Sequence, residues 1–398
     1  MIPLFSARKI AGLTLLIGAL LPRLHAAQEG ELRVWIGADK GVRGLEEVAA
    51  RFTKETGVAV TIETPQNLPQ AFAEQAEGEH APDIVFWQQD HVSRWAEDGL
   101  IEPVETDDAY RQRFYAPGWE AMSHDGEVWG YPLTLENVSL IYNKELVEQP
   151  PQTLEQVIEL SHQLREEEAV DALLWDYANP YFTWGILASD GAYAFAPTEG
   201  GYNTEQSGVH SAGAIAALET LVLMVDQKVL PANSSYSVLE AKMNAGECAM
   251  MINGPWSWAN LRSSGIDFGV APLPGVNGHT GKPFVTVVGG MVTHASPNQE
   301  AAQRFLRDFV LTDEGLESID DDVPLVVPAL KSFADKLATE NPHIQGSLEN
   351  ALQGQVMPNV PEMTRFWANM GFAISNAVRG HLSPDDALKL AEDRIENR

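Results

Sequence analysis

Four short stretches set flat rings beside carboxylates, amides or a lysine. WIGADKG at 35–41 carries Asp39 and Lys40, and FWQQDH at 86–91 carries Trp87 and Asp90. NPYFTW at 179–184 groups Tyr181, Phe182 and Trp184 behind a turn, and INGPWSWAN at 252–260 sets Trp256 and Trp258 two residues apart. Rings of this kind stack on the C–H face of a pyranose while polar neighbours take its hydroxyls, so carbohydrate binding is the chemistry they fit. Any single tryptophan is more simply read as core packing; four stretches of one character shift the balance. Catalysis has no comparable signature, since G-x-S-x-G, a P-loop and a G-x-G-x-x-G after a strand are all missing. The 56 acidic residues offer carboxylate pairs for glycoside hydrolysis without singling one out. No Cys/His cluster has zinc spacing, and neither metal nor cofactor is expected.

These stretches need elements to hold them. LRVWI at 32–36 alternates as a strand, and Val42, Leu45, Val48, Ala49 and Phe52 keep helical spacing up to Gly57. Val58, Val60 and Ile62 alternate again, DIVFW at 83–87 suits a buried strand, and VSLIY at 138–142 another. Thr153 and Gln156 fit a capping box ahead of a helix, ALLW at 172–175 reads as a strand, and Ile215, Leu218, Val222 and Val225 mark a long helix. CAMMI at 248–252 is strand-like and runs into NGPW, where Pro255 suits a first helical position, so both indoles are expected in the first turn of a helix. Phe366, Met370, Ile374 and Val378 form a helical stripe, and Ser383, Pro384 and Asp386 start the final helix. Strand and helix alternate, which predicts α/β layers on a largely parallel sheet. Each aromatic stretch then falls at a strand end, where open α/β sheets bind ligands.

At 398 residues the chain exceeds one ordinary domain, and no Gly/Ser tether separates two. Residues 1–26 read as a secretory signal peptide: Arg8 and Lys9, an apolar run from Ile10 to Leu21, then a small residue at Ala26. The run is too short for a membrane span of about 20 residues, so an exported protein is expected. Net charge is −30, and −33 once Arg8, Lys9 and Arg23 are removed, which disfavours nucleic acid and anionic lipid as partners. The lone Cys248, in an apolar setting, reads as a buried structural thiol.

WIGADKG, PDIVFW, YPLTLENVSLIYNK, NPYFTW, DGAYAF, INGPWSW, GKPFV, LTDEGLE and MPNVPEMTRFW together resemble the periplasmic maltose/maltodextrin-binding proteins of Gram-negative bacteria, receptors of ABC sugar importers. The resemblance runs from about Gly30 to the C-terminus. It implies an α/β, two-lobed type II periplasmic-binding fold with discontinuous lobes, 27–134 with 290–335 and 139–285 with 342–398, and a ligand cleft between them. It also implies a non-enzymatic, periplasmic, monomeric receptor. Its partners would be maltose and maltodextrins and an inner-membrane ABC permease, with a chemoreceptor left open as a third. By the same resemblance, Asp39 and Lys40 bind sugar hydroxyls, and Trp87, Asp90 and Glu136 are ligands from the first lobe. Tyr181, Phe182, Trp256, Met357 and Trp367 come from the second, while Trp258 matches a structural position. The family usually has Asn where Gly37 stands, Arg at His91, Glu at Asn179 and Arg at Gly371. His91 and Asn179 have thus lost one charge of each sign at matching ligand positions, which suggests a compensated pair. Another disaccharide as ligand, or a secreted glycosidase, are the alternative functions.

Overall fold

The computed structural model describes residues 30–232 and 234–397; the expected signal segment 1–26 lies outside the described residues. The chain alternates strands and helices as the periodicity predicts. Helix Val42–Thr56 buries Leu45, Val48, Ala49 and Phe52. It stops where Gly57 takes φ +80° and returns its N–H to the Thr53 carbonyl, a backbone conformation that costs glycine little. At helix Leu154–Glu167 the Thr153 hydroxyl accepts from the Gln156 N–H, but the Gln156 amide reaches the N–H of Gln152, one residue before the expected partner.

The strands form two main sheets. The first runs Gln355–Val356, Phe284–Val292, Ile84–Gln88, Glu31–Trp35, Ala59–Glu63, with Tyr131–Glu136 also paired to Phe284–Val292. The second runs Phe268–Ala271, Ser139–Asn143, Cys248–Asn253, Asp171–Leu174. Both are mixed rather than largely parallel: Phe284–Val292 lies antiparallel to Ile84–Gln88 and Tyr131–Glu136, and Ser139–Asn143 lies antiparallel to both its neighbours. The antiparallel strands are those next to the passages between the sheets: Phe284–Val292 starts in the hydrophobic core of the second sheet at Phe284 and runs into that of the first at Val285. Tyr131–Glu136 and Ser139–Asn143 are joined by Asn137 and Val138 alone, so the chain enters the second sheet directly instead of returning through a crossover helix.

The first sheet packs on one hydrophobic core and the second on two, the smaller of them around Ile141, Met251, Trp258 and Phe268. The core of the first sheet includes Leu32, Val34, Phe52, Phe86, Leu135, Val285 and Val356; the larger core of the second includes Val138, Trp184, Leu218, Ile252, Phe284, Met357 and Phe366. Core membership therefore changes between Leu135 and Val138, between Phe284 and Val285, and between Val356 and Met357. At the first crossing the buried amide of Asn350 donates to Asn137 Oδ1 at 2.7 Å and to the Val138 carbonyl at 2.6 Å, and accepts from the Leu273 N–H at 3.0 Å.

Helix Ala212–Asp226 is present, but its buried face is not the expected stripe. Leu218 is buried with Gly213, Ala214, Ala217, Leu221 and Met224, whereas Ile215, Val222 and Val225 are half-buried. Small residues let this helix lie close to helices Pro180–Leu187, Met363–Val378 and Pro384–Ile395. Cys248 is fully buried, and burial pushes its thiol up to about 12, so it is an inert core residue.

Candidate functional site

The site is assembled at strand ends beside the core crossings. After strand Glu31–Trp35 the chain turns, with the Lys40 N–H bonded to the Gly37 carbonyl at 3.1 Å. Asp39 is exposed beside Gly37, and Lys40 is half-buried with Nζ 3.4 Å from Oε1 of Glu136, the last residue of its strand. A Cβ at Gly37 would lie 3.0 Å from Asp39 Oδ1 and 3.3 Å from Lys40 Cγ, so this glycine lets the two polar side chains close in.

Glu136 also faces the phenol of Tyr181. Burial first, and then the Glu136 charge, hold the Tyr181 hydroxyl far above its ordinary pKa, against a hydrogen bond to Thr286 that lowers it. The phenol stays protonated, a neutral donor beside a carboxylate. From Tyr181 the rings continue: Phe182 at 5.6 Å edge-on, Trp367 at 6.4 Å, and Trp256 at 6.4 Å from Phe182. A line of neighbours thus runs from Trp256 through Phe182, Tyr181 and Glu136 to Lys40. Trp256 is 45% exposed, while Trp258 is 4% exposed in the core. The expected single helical turn is split: Pro255–Ser257 is a 3₁₀ turn, and helix Trp258–Ser264 starts at the second indole.

Trp87, near the end of strand Ile84–Gln88, and Asp90 and His91 just after it form a second group. His91 packs edge-on against Trp87 at 6.4 Å, and its Nδ1 is 2.9 Å from Asp90 Oδ1. The buried Gln89 between them accepts from the Val287 N–H at 2.8 Å and reaches the Met357 carbonyl at 3.5 Å, so its side chain points inward toward Met357. Asn179 is exposed and caps helix Pro180–Leu187, its Oδ1 accepting from the Tyr181 N–H at 3.0 Å. Asn179 therefore orients Tyr181 through the backbone.

His91 and Asn179 are each engaged locally, and among the described residues no hydrogen bond joins them. Any coupling between them would therefore have to run through a shared ligand. In a double-mutant cycle, His91→Arg and Asn179→Glu are expected to change ligand affinity additively, within about 0.5 kcal/mol. A larger coupling energy in titration calorimetry restores the compensated pair.

Sequence reasoning missed Gln89, Thr286 and Tyr236. Tyr236 packs 6.1 Å from Phe182, with its hydroxyl beside the Trp256 indole. It stands in NSSYSV, an ordinary helix start, and nothing in its spacing links it to NGPW. Gln89 does lie in FWQQDH, but only the structure shows which of the two glutamines points inward. Two broad depressions elsewhere, about 570 Å³ beside Val60 and Ile62 and about 900 Å³ beside Tyr110 and Arg307, include none of the twelve expected residues. Among the described residues no group of three or more His, Cys, Asp or Glu side chains could hold a metal, and no helix is long and apolar enough to cross a membrane.

Residues 38–317 match the family described as bacterial extracellular solute-binding protein. The chain is 27% identical over 350 residues to a maltotriose-binding protein of Pyrococcus abyssi, covering 85% of this chain and 75% of that one. It is 26% identical to a maltooligosaccharide ABC transporter solute-binding lipoprotein of Streptococcus pneumoniae, over 92% of this chain and 89% of that one. It is 25% identical to a galactooligosaccharide-binding protein of Bacillus subtilis, over 94% and 90% respectively.

Proposed function

This chain belongs to the family of bacterial extracellular solute-binding proteins, and from that premise we propose that it captures maltose and maltodextrins and delivers them to an ABC transporter. One observation carries the choice of ligand: the continuous line of Trp256, Phe182, Tyr181 and Trp367 that meets Glu136 and Lys40. Ring faces can take pyranose C–H faces, and the carboxylate, ammonium and phenol can take hydroxyls. The ligand would lie between lobes 27–134 with 290–335 and 139–285 with 342–398. Closure follows if the sugar binds the closed form more tightly than the open one. The protein is then a binding receptor, not an enzyme, working as a monomer in the periplasm after removal of residues 1–26.

The relatives named for maltotriose and maltooligosaccharides support this ligand class. The relative named for galactooligosaccharides, together with Gly37, His91, Asn179 and Gly371, favours one second reading: a receptor for a different oligosaccharide. Titration calorimetry with maltose, maltotriose, trehalose, sucrose, cellobiose and a galactobiose separates the two. Maltose or maltotriose is expected to bind with micromolar affinity, about 8 kcal/mol. Tight binding of another disaccharide, with no heat from millimolar maltose, overturns the maltodextrin reading. Consumption of maltodextrin at catalytic protein concentrations overturns the receptor reading.

A further inference from the structure

Trp256 is nearly half exposed, yet its ring is held on several sides. It folds back over Gly254, where a Cβ would come within 2.1 Å of the ring carbons Cη2 and Cζ3. Phe182 meets it edge-on at 6.4 Å. The Tyr236 hydroxyl lies beside its indole. The turn beneath is tied by the Gly254 N–H donating to Asn253 Oδ1 at 2.8 Å and by the Ser257 hydroxyl donating to the Gly254 carbonyl at 2.8 Å.

Two of these residues, Tyr236 and Asn253, meet at one carboxylate. Glu240 lies half-buried on helix Tyr236–Asn244. Its Oε1 accepts from the Tyr236 hydroxyl at 3.0 Å and from Asn253 Nδ2 at 3.2 Å, and its Oε2 accepts from Asn260 Nδ2 at 3.1 Å. The three donors come from its own helix, from the end of strand Cys248–Asn253 and from helix Trp258–Ser264, the elements that bracket the Trp256 turn. An acceptor-only group with four lone-pair sites suits three donors, and a charged acceptor strengthens each bond.

We propose that Glu240 is a positioning residue that fixes the Trp256 ring as a sugar platform, acting through Tyr236 and Asn253 without touching the ligand. The proposal rests on the reading of Trp256 as a ring that stacks on sugar. Its energetic logic is pre-organisation: an exposed indole left free would have to be ordered when ligand binds, and Glu240 orders it beforehand.

The substitutions follow from the acceptor count. E240L removes every acceptor. E240Q keeps an oxygen for Tyr236 and Asn253, while its amide faces Asn260, whose exposed side chain can turn to offer its own oxygen. The first readout needs no ligand: the ¹⁵N-indole resonance of Trp256, assigned from its disappearance in W256F. E240L is expected to move or broaden that resonance, Y236F to do the same by removing the hydroxyl, and E240Q to leave it near its original place. The second readout is affinity for maltotriose. E240L is expected to weaken it about tenfold, the scale of a coupled contact, and to have no further effect in the W256A background. An unmoved indole resonance in E240L, or in Y236F should E240L fail to fold, overturns the proposal. An equal loss of affinity from E240L with and without Trp256 also overturns it. If the parent protein binds no α-glucan, the sugar reading falls, while the indole resonance still decides whether Glu240 holds the ring.

Discussion

Trp256→Ala is expected to remove most of the sugar affinity at a smaller cost in stability, while Trp258→Ala does the reverse. The two indoles are two residues apart, yet one is 45% exposed and the other 4%. Trp258 packs against Phe268 at 6.3 Å and His343 at 5.8 Å, with the Arg262 guanidinium 6.0 Å from its ring. Truncating a buried tryptophan removes its transfer energy and leaves a cavity, a loss of about 3–5 kcal/mol. Trp256 is 45% exposed, so its removal costs the fold less, about 1–2 kcal/mol. As an aromatic anchor for ligand it is worth at least about 2 kcal/mol, a loss of roughly thirtyfold or more in affinity. Denaturant titration and calorimetry on both variants provide the check. Early unfolding of both, with normal binding by what remains folded, would place Trp256 in the core.

The difference between these neighbours shows what the sequence could and could not disclose. A Gly-Pro pair before two tryptophans announces a turn at a helix start, and that much is present. Which ring faces inward depends on the 3₁₀ turn at Pro255–Ser257, which rotates the first indole away from the face that the following helix buries. The strand ends were readable because short apolar runs bounded by turn residues have few other uses. Helix Val42–Thr56 was readable because its large apolar residues and its buried face coincide. Helix Ala212–Asp226 was not, because it is apolar on most sides and its packing face was chosen by small residues. Strand direction was also hidden: a two-residue link between sheets leaves no mark on hydrophobic periodicity. At the site, the resemblance offers Asn179 as a ligand position, and the structure adds a second role that the Asn-Pro pair also announces, since its Oδ1 caps the helix behind it. Tyr236 and Glu240 lie outside every aromatic stretch, and only the folded turn brings them to Trp256.

The second large effect is expected outside the ring cluster, at Asn350. This side chain is fully buried on helix Pro342–Gln353, beside the two-residue crossing between the sheets. Its amide N–H groups serve Asn137 Oδ1 and the Val138 carbonyl, and its oxygen serves the Leu273 N–H. Asn137 in turn donates to the Ser347 carbonyl at 3.1 Å, so both amides tie the crossing to the same helix. Asn350→Ala would strand one donor and weaken two acceptors where water has no ready access. A buried polar group left without a partner costs about 1–3 kcal/mol. With relaxation and partial rescue, a net loss of about 3–5 kcal/mol follows, at the upper end for single substitutions. Asn376→Ala is the matched control: its amide also donates to a backbone carbonyl, that of Phe372 at 2.8 Å, but in an exposed bond, so its loss should stay within about 0.5 kcal/mol. Because Asn137 and Asn350 share one network, Asn137→Ala in the Asn350→Ala background should cost less than it does alone, with a coupling energy above about 0.5 kcal/mol. Urea denaturation of the four variants reads all of this. A loss below about 1 kcal/mol for Asn350→Ala would mean that water enters the crossing and replaces the amide, and the joint would then be held by apolar packing alone.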